Sequence, residues 1–199
     1  MAVLLIILSY LIGSVSFGYL IAKKTKGIDI RKIGSGSTGA TNTARALGLK
    51  FFVIVLILDA LKGLLVILLA SNYLEANWAI LLCGGAVIIG HNWPIFSNFR
   101  GGRGVATTFG VFLGIVPWPA LIVFGIFILI ILCTRYVSLG SMVGALAIPV
   151  VIIIKGYAWE YMVFSLAVSL LLLWRHKPNI RRLLKGEEAR FGEKPKPEI

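Results

Sequence analysis

The chain has 199 residues and a formal net charge of +12; 58% of its residues are hydrophobic and only 14% are charged. Soluble domains carry about 25% charged residues, and a soluble fold of this length could not bury so much apolar surface. The composition therefore excludes a soluble fold, argues against nucleic acid as a partner, and predicts a single integral membrane domain over residues 1–199.

Seven apolar segments predict an all-α polytopic membrane protein with about seven transmembrane helices. The third and fourth segments have 13 and 12 residues. Helices of that length do not cross a bilayer alone, so we expect them to end inside the membrane and to line a polar cavity. The segments are 2–22, 51–70, 78–90, 105–116, 118–133, 137–154 and 158–174.

The distribution of Lys and Arg predicts how these segments are oriented. With seven crossings and the N-terminus outside, 18 of the 20 basic residues lie inside, in the connections 23–50, 91–104 and 134–136 and in a basic tail from Arg175. A single kinked helix over 105–133 would instead divide the charges almost equally. The positive-inside rule favours seven crossings and a cytoplasmic C-terminus.

Small residues four positions apart suggest where helices approach closely. Gly110 and Gly114 form one such pair, and Gly140 and Gly144 form another. These glycines predict tight helix packing and require no chemistry.

The first polar cluster lies at 34–45 and predicts a cradle for a phosphate group. Glycines let several backbone N–H groups converge, and a helix that starts near Ala40 would direct its N-terminus at an anion. A flexible linker is the alternative, but a linker does not need Thr, Asn and Arg. The candidate ligands are Gly34, Ser35, Gly36, Ser37, Gly39, Thr41, Asn42 and Arg45.

Two nucleotide-binding patterns fit this cluster by spacing only. Gly34, Gly36 and Gly39 match G-x-G-x-x-G, but no strand precedes them. The P-loop spacing is also present, but Ala40 replaces the required lysine. We therefore expect neither a dinucleotide site nor an NTPase.

Asp59 and Lys62 lie inside the second apolar segment. Charges within a membrane are costly and usually paired, and residues at i and i+3 of a helix can contact each other. We expect this pair to orient the site rather than to act on a substrate.

The second cluster spans 90–107 and predicts a second anion site. Gly101, Gly102 and Gly104 surround Arg103, and the short helix that follows would present its positive end to the same place. Positive-inside anchoring is the alternative for Arg103. The candidate ligands are His91, Gly101, Gly102 and Arg103.

The third cluster, at 176–187, begins where the last segment leaves the membrane. His176 and Asn179 share a helix face if a turn begins there, and Ser141 starts the sixth segment on the same side. Ser141 could donate to a phosphate or be a packing residue. The sequence shows neither a metal-ligand spacing nor a serine–histidine–acid set, so we expect no metal and no cofactor.

Together the three clusters resemble the bacterial membrane acyl-phosphate:glycerol-3-phosphate acyltransferase family over nearly the whole chain. The 59–63 stretch also fits that family. Two departures stand out: Ser37 occupies a position where the family has Asn, and Arg100 and Arg103 occupy positions where Lys is usual. An arginine still binds phosphate, but its guanidinium does not act as a base.

The resemblance implies a fatty acyl transfer from acyl phosphate to the sn-1 hydroxyl of glycerol 3-phosphate, which gives lysophosphatidic acid. The acyl phosphate would lie on the first cluster, and glycerol 3-phosphate on Arg45, Arg103, His176 and Asn179. It also implies a monomer among membrane lipids, in the bacterial inner membrane, with its site on the cytoplasmic face. The expected catalytic residues are Ser35, Arg45, Arg103, His176 and Asn179.

Two other functions compete with this one. Glycine-broken short helices with arginines also suit a phosphate or organic-anion transporter. A transporter needs polar residues that reach the outer face, and the outer connections are short and nearly uncharged. A lipid phosphatase is disfavoured because no nucleophile lies in sequence next to a histidine.

Overall fold

The computed structural model describes residues 1–193, and this range folds into ten α-helices with short connections. Two 3₁₀ turns, Ile30–Lys32 and Ile95–Ser97, lie in the longer connections. The end of the predicted basic tail, 194–199, lies outside the described residues. The helices are α1 (Ala2–Gly13), α2 (Phe17–Lys26), α3 (Ala40–Leu47), α4 (Leu49–Tyr73), α5 (Asn77–Asn92), α6 (Val105–Ile115), α7 (Pro117–Thr134), α8 (Val137–Ile154), α9 (Trp159–Arg175) and α10 (Lys177–Leu184).

Five stretches are long and apolar enough to cross a membrane, which confirms an all-helical multi-pass protein. They are Ala2–Lys26, Leu49–Tyr73, Asn77–Ser97, Pro117–Thr134 and Val137–Ile154. The third predicted segment is thus longer than expected. The fourth is short, as expected: α6 has 11 residues and spans about 16 Å. The count of seven crossings and the orientation stay predictions.

The first apolar segment is not one helix, because the chain breaks between α1 and α2. Lys62 of α4 reaches this break, and its ammonium donates to the carbonyl oxygens of Gly13 at 3.1 Å and Val15 at 2.9 Å. The same ammonium lies 2.8 Å from the Asp59 carboxylate, which confirms the predicted pair. A buried charge pair thus partners backbone groups that the broken helix leaves free.

The predicted small-residue pairs lie at close helix crossings. A side chain at Gly110 would overlap with the carbonyl oxygen of Ala60 in α4. One at Gly114, a turn further along α6, would overlap with the Ile67 side chain of α4. A side chain at Gly140 or Gly144 of α8 would lie in tight contact with Phe127 or Val123 of α7, without overlap.

The contacts at Gly110 and Gly114 hold the middle and the C-terminal end of α6 against α4. A side chain at Gly63 of α4 would overlap with the Thr107 carbonyl oxygen, so the two helices also touch near the N-terminal end of α6, beside the polar pocket described below.

The outer surface of the bundle is apolar. Large side chains such as Leu65, Leu132, Ile154 and Leu170 are 59–76% exposed. A surface of this kind is stable in lipid and not in water, in agreement with the long apolar stretches.

We predict that Lys62→Met destabilises the protein by about 3–5 kcal/mol, because it leaves the Asp59 carboxylate buried without a counter-charge. Thermal or denaturant unfolding in detergent micelles measures the loss. The exposed Lys155 provides the control, and Lys155→Met should have little effect.

The double variant Asp59→Asn/Lys62→Met removes both charges and should be less destabilised than the sum of its single variants. A Lys62→Met protein as stable as the Lys155→Met control would show that the ion pair does not support the break between α1 and α2.

Candidate functional site

The three polar clusters meet in one pocket at one end of the helix bundle. Five of the predicted site residues, Gly34, Gly36, Gly101, Gly102 and Asn179, do not line this pocket. The predicted residues that do line it are Ser35, Ser37, Gly39, Thr41, Asn42, Arg45, His91, Arg103, Ser141 and His176.

The first wall of the pocket is the loop that precedes α3. Gly34 and Gly36 adopt left-handed backbone angles, with φ of 55° and 67°, which glycine tolerates best. The Asn42 amide nitrogen donates to three loop carbonyls, of Ile30, Ile33 and Ser37, at 2.8–3.1 Å. Its oxygen accepts from the Ser35 N–H at 3.1 Å. Asn42 therefore shapes the loop, and its amide is already engaged without a substrate.

Two helix N-termini point their first residues at the pocket. Gly39, Ala40 and Thr41 begin α3, and Gly104 and Val105 begin α6. The first N–H groups of a helix have no intrahelical acceptor and favour an anion. The hydroxyls of Ser35 and Thr41 add donors beside them.

Arg45 and Arg103 bring positive charge to the pocket without a partner. Neither guanidinium forms an ion pair with any residue in 1–193. Burial lowers the pKa of Arg45, and it lowers the pKa of Arg103 to about 10. Such a decrease means that the nearby Glu188 offsets only part of the cost of burying these charges, so the pocket favours an anion.

His176 is 2% exposed and is held by the end of α9. Its Nδ1 lies 2.8 Å from the Leu172 carbonyl oxygen. A carbonyl only accepts, so Nδ1 donates and Nε2 carries the lone pair. Burial and the nearby Arg103 lower the pKa of His176 to about 4. The imidazole is thus neutral and only weakly basic.

Glu188, a buried acid in the basic C-terminal segment, is not among the residues predicted for the site. Its carboxylate accepts hydrogen bonds from Ser138 Oγ, Asn179 Nδ2 and Arg182 Nε, each at 2.7 Å. Burial alone would raise the pKa of Glu188, but these hydrogen bonds outweigh it and lower the pKa. Glu188 lines the pocket, so Asn179 meets the site through this carboxylate. Its position directly after the third cluster was the available signal.

The segment after α10 closes one side of the pocket. The Phe191 N–H donates to the Arg135 carbonyl at 2.7 Å, and the Phe191 ring contacts Phe52 of α4 at 5.0 Å between centroids. Ala189 and Phe191 line the pocket beside Glu188. The C-terminal segment is therefore part of the site rather than a free tail.

His91 lies at the base of the pocket and is 5% exposed. Its Nδ1 is 3.4 Å from the Asp59 carboxylate and 3.2 Å from the Thr107 hydroxyl. The Asp59–Lys62 pair therefore extends to His91, and Asp59 itself lines the pocket. The orienting role of the pair stays a prediction. One ring nitrogen of His91 is already engaged within the protein.

An apolar cavity of about 240 Å³ adjoins the polar pocket. It lies between α4, α6, α7 and α8. The two share wall residues, which are Leu56, Val105, Ala106, Phe127 and Ser141. A ligand with an anionic head and a long apolar chain would match this pair of spaces.

The described residues contain no group of three His, Cys, Asp or Glu side chains placed to hold a metal ion. Arrangement and charge instead suit the binding of anions: donors from two loops, two unpaired guanidiniums and one neutral imidazole. Such a site can bind an anion and stabilise negative charge that develops beside it.

Sequence comparison gives the family context of this site. Residues 3–186 match the family model described as Glycerol-3-phosphate acyltransferase. Relatives named Glycerol-3-phosphate acyltransferase include one from Halalkalibacterium halodurans, 48% identical over 96% of each chain. Another, from Parasynechococcus marenigrum, is 44% identical over 97% of this chain and 91% of the relative.

Two solved structures of a glycerol 3-phosphate acyltransferase also resemble this chain. The crystal structure of PlsY (YgiH), an integral membrane glycerol 3-phosphate acyltransferase, in its glycerol 3-phosphate form aligns with a TM-score of 0.91. That chain is 42% identical, and the alignment covers 96% of both chains. The lysophosphatidic acid form aligns with a TM-score of 0.88 at 41% identity, over 96% of this chain and 95% of the other.

We predict that His176 makes the fold sensitive to acid. Its pKa is about 4 in the folded protein and about 6.5 in an unfolded chain. Below pH 6.5 the unfolded chain therefore binds a proton that the folded chain does not, so stability falls as the pH drops towards 4. The loss at pH 4 amounts to about 3 kcal/mol.

Unfolding of the wild type and of His176→Gln, followed from pH 7.5 to 4, tests this prediction. As the pH falls, the free energy of unfolding of the wild type should decrease more than that of the variant. A difference that does not change with pH would mean that His176 titrates normally.

Proposed function

This chain belongs to the glycerol-3-phosphate acyltransferase family and is a multi-pass membrane enzyme, and from that premise we propose its donor, its regiochemistry and its catalytic residues. The donor is a fatty acyl phosphate. The acceptor is the sn-1 hydroxyl of glycerol 3-phosphate, and the products are lysophosphatidic acid and inorganic phosphate. Because its family is one of acyltransferases, we set aside the transporter and the phosphatase.

The observation that carries the proposal is the unpaired positive charge of Arg45 and Arg103 at the end of an apolar cavity. Acyl phosphate and glycerol 3-phosphate each bring a phosphate group to this charge. The phosphate of glycerol 3-phosphate meets the two guanidiniums, and that of the acyl phosphate meets the hydroxyls and the helix N-terminus beside them. A thioester donor would bring no phosphate at the reacting carbon. The charge of the pocket thus favours acyl phosphate as the donor.

The acyl chain occupies the apolar cavity, and its reacting carbonyl lies where the two spaces join. Phe127 and Ala106 belong to both walls and would flank this carbonyl. Burial of the chain contributes about 0.8 kcal/mol for each methylene. Its phosphate then reaches the hydroxyls of Ser35, Ser37 and Thr41 and the first N–H groups of α3.

Glycerol 3-phosphate occupies the opposite side of the pocket. Arg45 and Arg103 bind its phosphate, and His176 Nε2 accepts from one of its hydroxyls. Asn179 and Ser141 support this side, Asn179 through the Glu188 carboxylate that it contacts at 2.7 Å. The glycines of both loops serve by giving the backbone its shape.

In the reaction, the sn-1 oxygen attacks the acyl carbonyl carbon and forms the ester C–O bond. The bond between that carbon and the phosphate oxygen breaks, and inorganic phosphate leaves with the electron pair. The hydroxyl proton passes to a phosphate oxygen, because an imidazole with a pKa of about 4 is a weak base at neutral pH. Positioning and charge stabilisation by Ser35, Arg45 and Arg103 supply most of the rate.

We place this site at the cytoplasmic face of the bacterial inner membrane. The basic connections and the C-terminal segment contribute the pocket residues, and the positive-inside rule assigns such connections to the cytoplasm. Glycerol 3-phosphate would then reach the pocket from the cytosol, and acyl phosphate from the lipid.

Purified protein should form lysophosphatidic acid from glycerol 3-phosphate with acyl phosphate. It should not do so with the acyl-carrier-protein or coenzyme A thioester of the same chain. Mass spectrometry of the product with each donor provides the measurement. A protein that uses only a thioester would overturn the proposed donor.

Arg45→Ala should lower kcat/KM for glycerol 3-phosphate by about 10²–10³-fold, because one charged donor to the phosphate of glycerol 3-phosphate is lost. The exposed Lys50, at the start of α4, gives a control of equal charge change. If Arg45→Ala and Lys50→Ala behave alike, Arg45 does not bind substrate.

His176→Ala should reduce kcat by about tenfold or less if a phosphate oxygen takes the proton. The plots of kcat against pH for the wild type and for His176→Ala should then have the same shape near pH 4. A loss beyond about a thousandfold would instead identify His176 as the base.

A further inference from the structure

We propose that Arg175 is a positioning residue that holds the Gly101–Gly102 backbone in place and thereby aims Arg103 into the pocket. The inference rests on the proposed role of Arg103 in binding glycerol 3-phosphate. Arg175 does not line the pocket, so its effect on the reaction passes through the loop.

The backbone of Gly102 is held from two sides. Its N–H donates to the His91 carbonyl oxygen at 3.1 Å. Its own carbonyl oxygen accepts from Arg175 Nη2 at 2.7 Å, a short charge-assisted bond. Both backbone polar groups of Gly102, the residue before Arg103, are therefore fixed.

The two glycines let the loop lie directly on the end of α5. A side chain at Gly101 would overlap with the His91 carbonyl, and one at Gly102 would overlap with the His91 ring. The loop therefore cannot move closer to α5. Motion in the opposite direction is opposed by the bond from Arg175.

Arg175 is itself anchored. Its guanidinium carbon lies 5.0 Å from the centre of the Trp93 ring, and Nη2 makes a longer contact of 3.4 Å with the Asn92 carbonyl. Trp93 in turn packs on Trp174 of α9, with 5.7 Å between ring centroids. This arrangement ties the end of α9 to the end of α5, and the loop lies between them.

The end of α9 thus serves both sides of the site with adjacent residues. His176 faces the pocket, while Arg175 reaches around to the loop that carries Arg103. Anchoring at the membrane surface would explain a basic residue at this place. It would not explain a 2.7 Å bond to the one carbonyl that precedes Arg103.

Arg175→Met tests the proposal, because Met retains much of the side-chain volume beside Trp93 but cannot donate. The KM for glycerol 3-phosphate should rise about tenfold or more, whereas the KM for the acyl donor should change less than about twofold. The neighbouring Lys177 is exposed and makes no part of the site, so Lys177→Met is the control and should leave both values unchanged.

Arg175→Lys should restore the KM for glycerol 3-phosphate to within about threefold, since one ammonium donor replaces the bond to the Gly102 carbonyl. The proposal is wrong if Arg175→Met leaves the KM for glycerol 3-phosphate unchanged, if both KM values rise together, or if Lys does not restore the value.

The assay uses whichever donor the wild type accepts. A wild type inactive with acyl phosphate would therefore count against the proposed donor and not against Arg175.

Discussion

The proposed site depends on two partly buried guanidiniums, those of Arg45 and Arg103, that form no ion pair with any residue in 1–193. Both guanidiniums line one pocket, and Glu188, an acid that also lines it, already accepts hydrogen bonds from Ser138, Asn179 and Arg182. Burial makes this charge costly, which the low pKa of Arg103 records. An anionic substrate that binds both guanidiniums removes that cost.

The helices and loops around this charge provide hydrogen-bond partners for backbone groups that would otherwise lack them. Backbone groups within an apolar bundle need partners, and each irregular segment near the pocket has one side chain that supplies them. Lys62 serves the break between α1 and α2, Asn42 serves the first loop, and Arg175 serves the second. The glycines allow the chain to turn, and these three side chains keep the turns in one shape. The site is thereby preorganised before substrate binds.

Much of this arrangement could be predicted from sequence because its signals are local. Glycine and hydroxyl clusters mark the loops, and apolar length marks the spans. The break after Gly13 was not predicted, although Gly13, Ser14 and Ser16 are residue types at which helices kink. The side chain that stabilises the break, Lys62, lies 49 positions away along the chain. Asn42 was expected to bind phosphate, but its three carbonyl partners come from residues that only the folded loop brings together.

Long-range partners explain the remaining omissions. Glu188 lies in a basic tail, and one of its hydrogen-bond donors is Ser138, 50 positions away along the chain. In the sequence, Arg175 is one of many basic residues expected on the inner side. In the structure it donates to the carbonyl of Gly102, 73 positions away. No local pattern carries such information. The family resemblance, in contrast, rests on motifs whose order along the chain is visible without a structure.

The most direct test of the account is whether both phosphates occupy the pocket at the same time. Isothermal titration of glycerol 3-phosphate into protein saturated with a non-reactive acyl phosphonate measures this. The account predicts binding with one equivalent and with an affinity no weaker than in the absence of the phosphonate. Loss of glycerol 3-phosphate binding would mean that the two ligands compete for a single anion site, and would contradict the account.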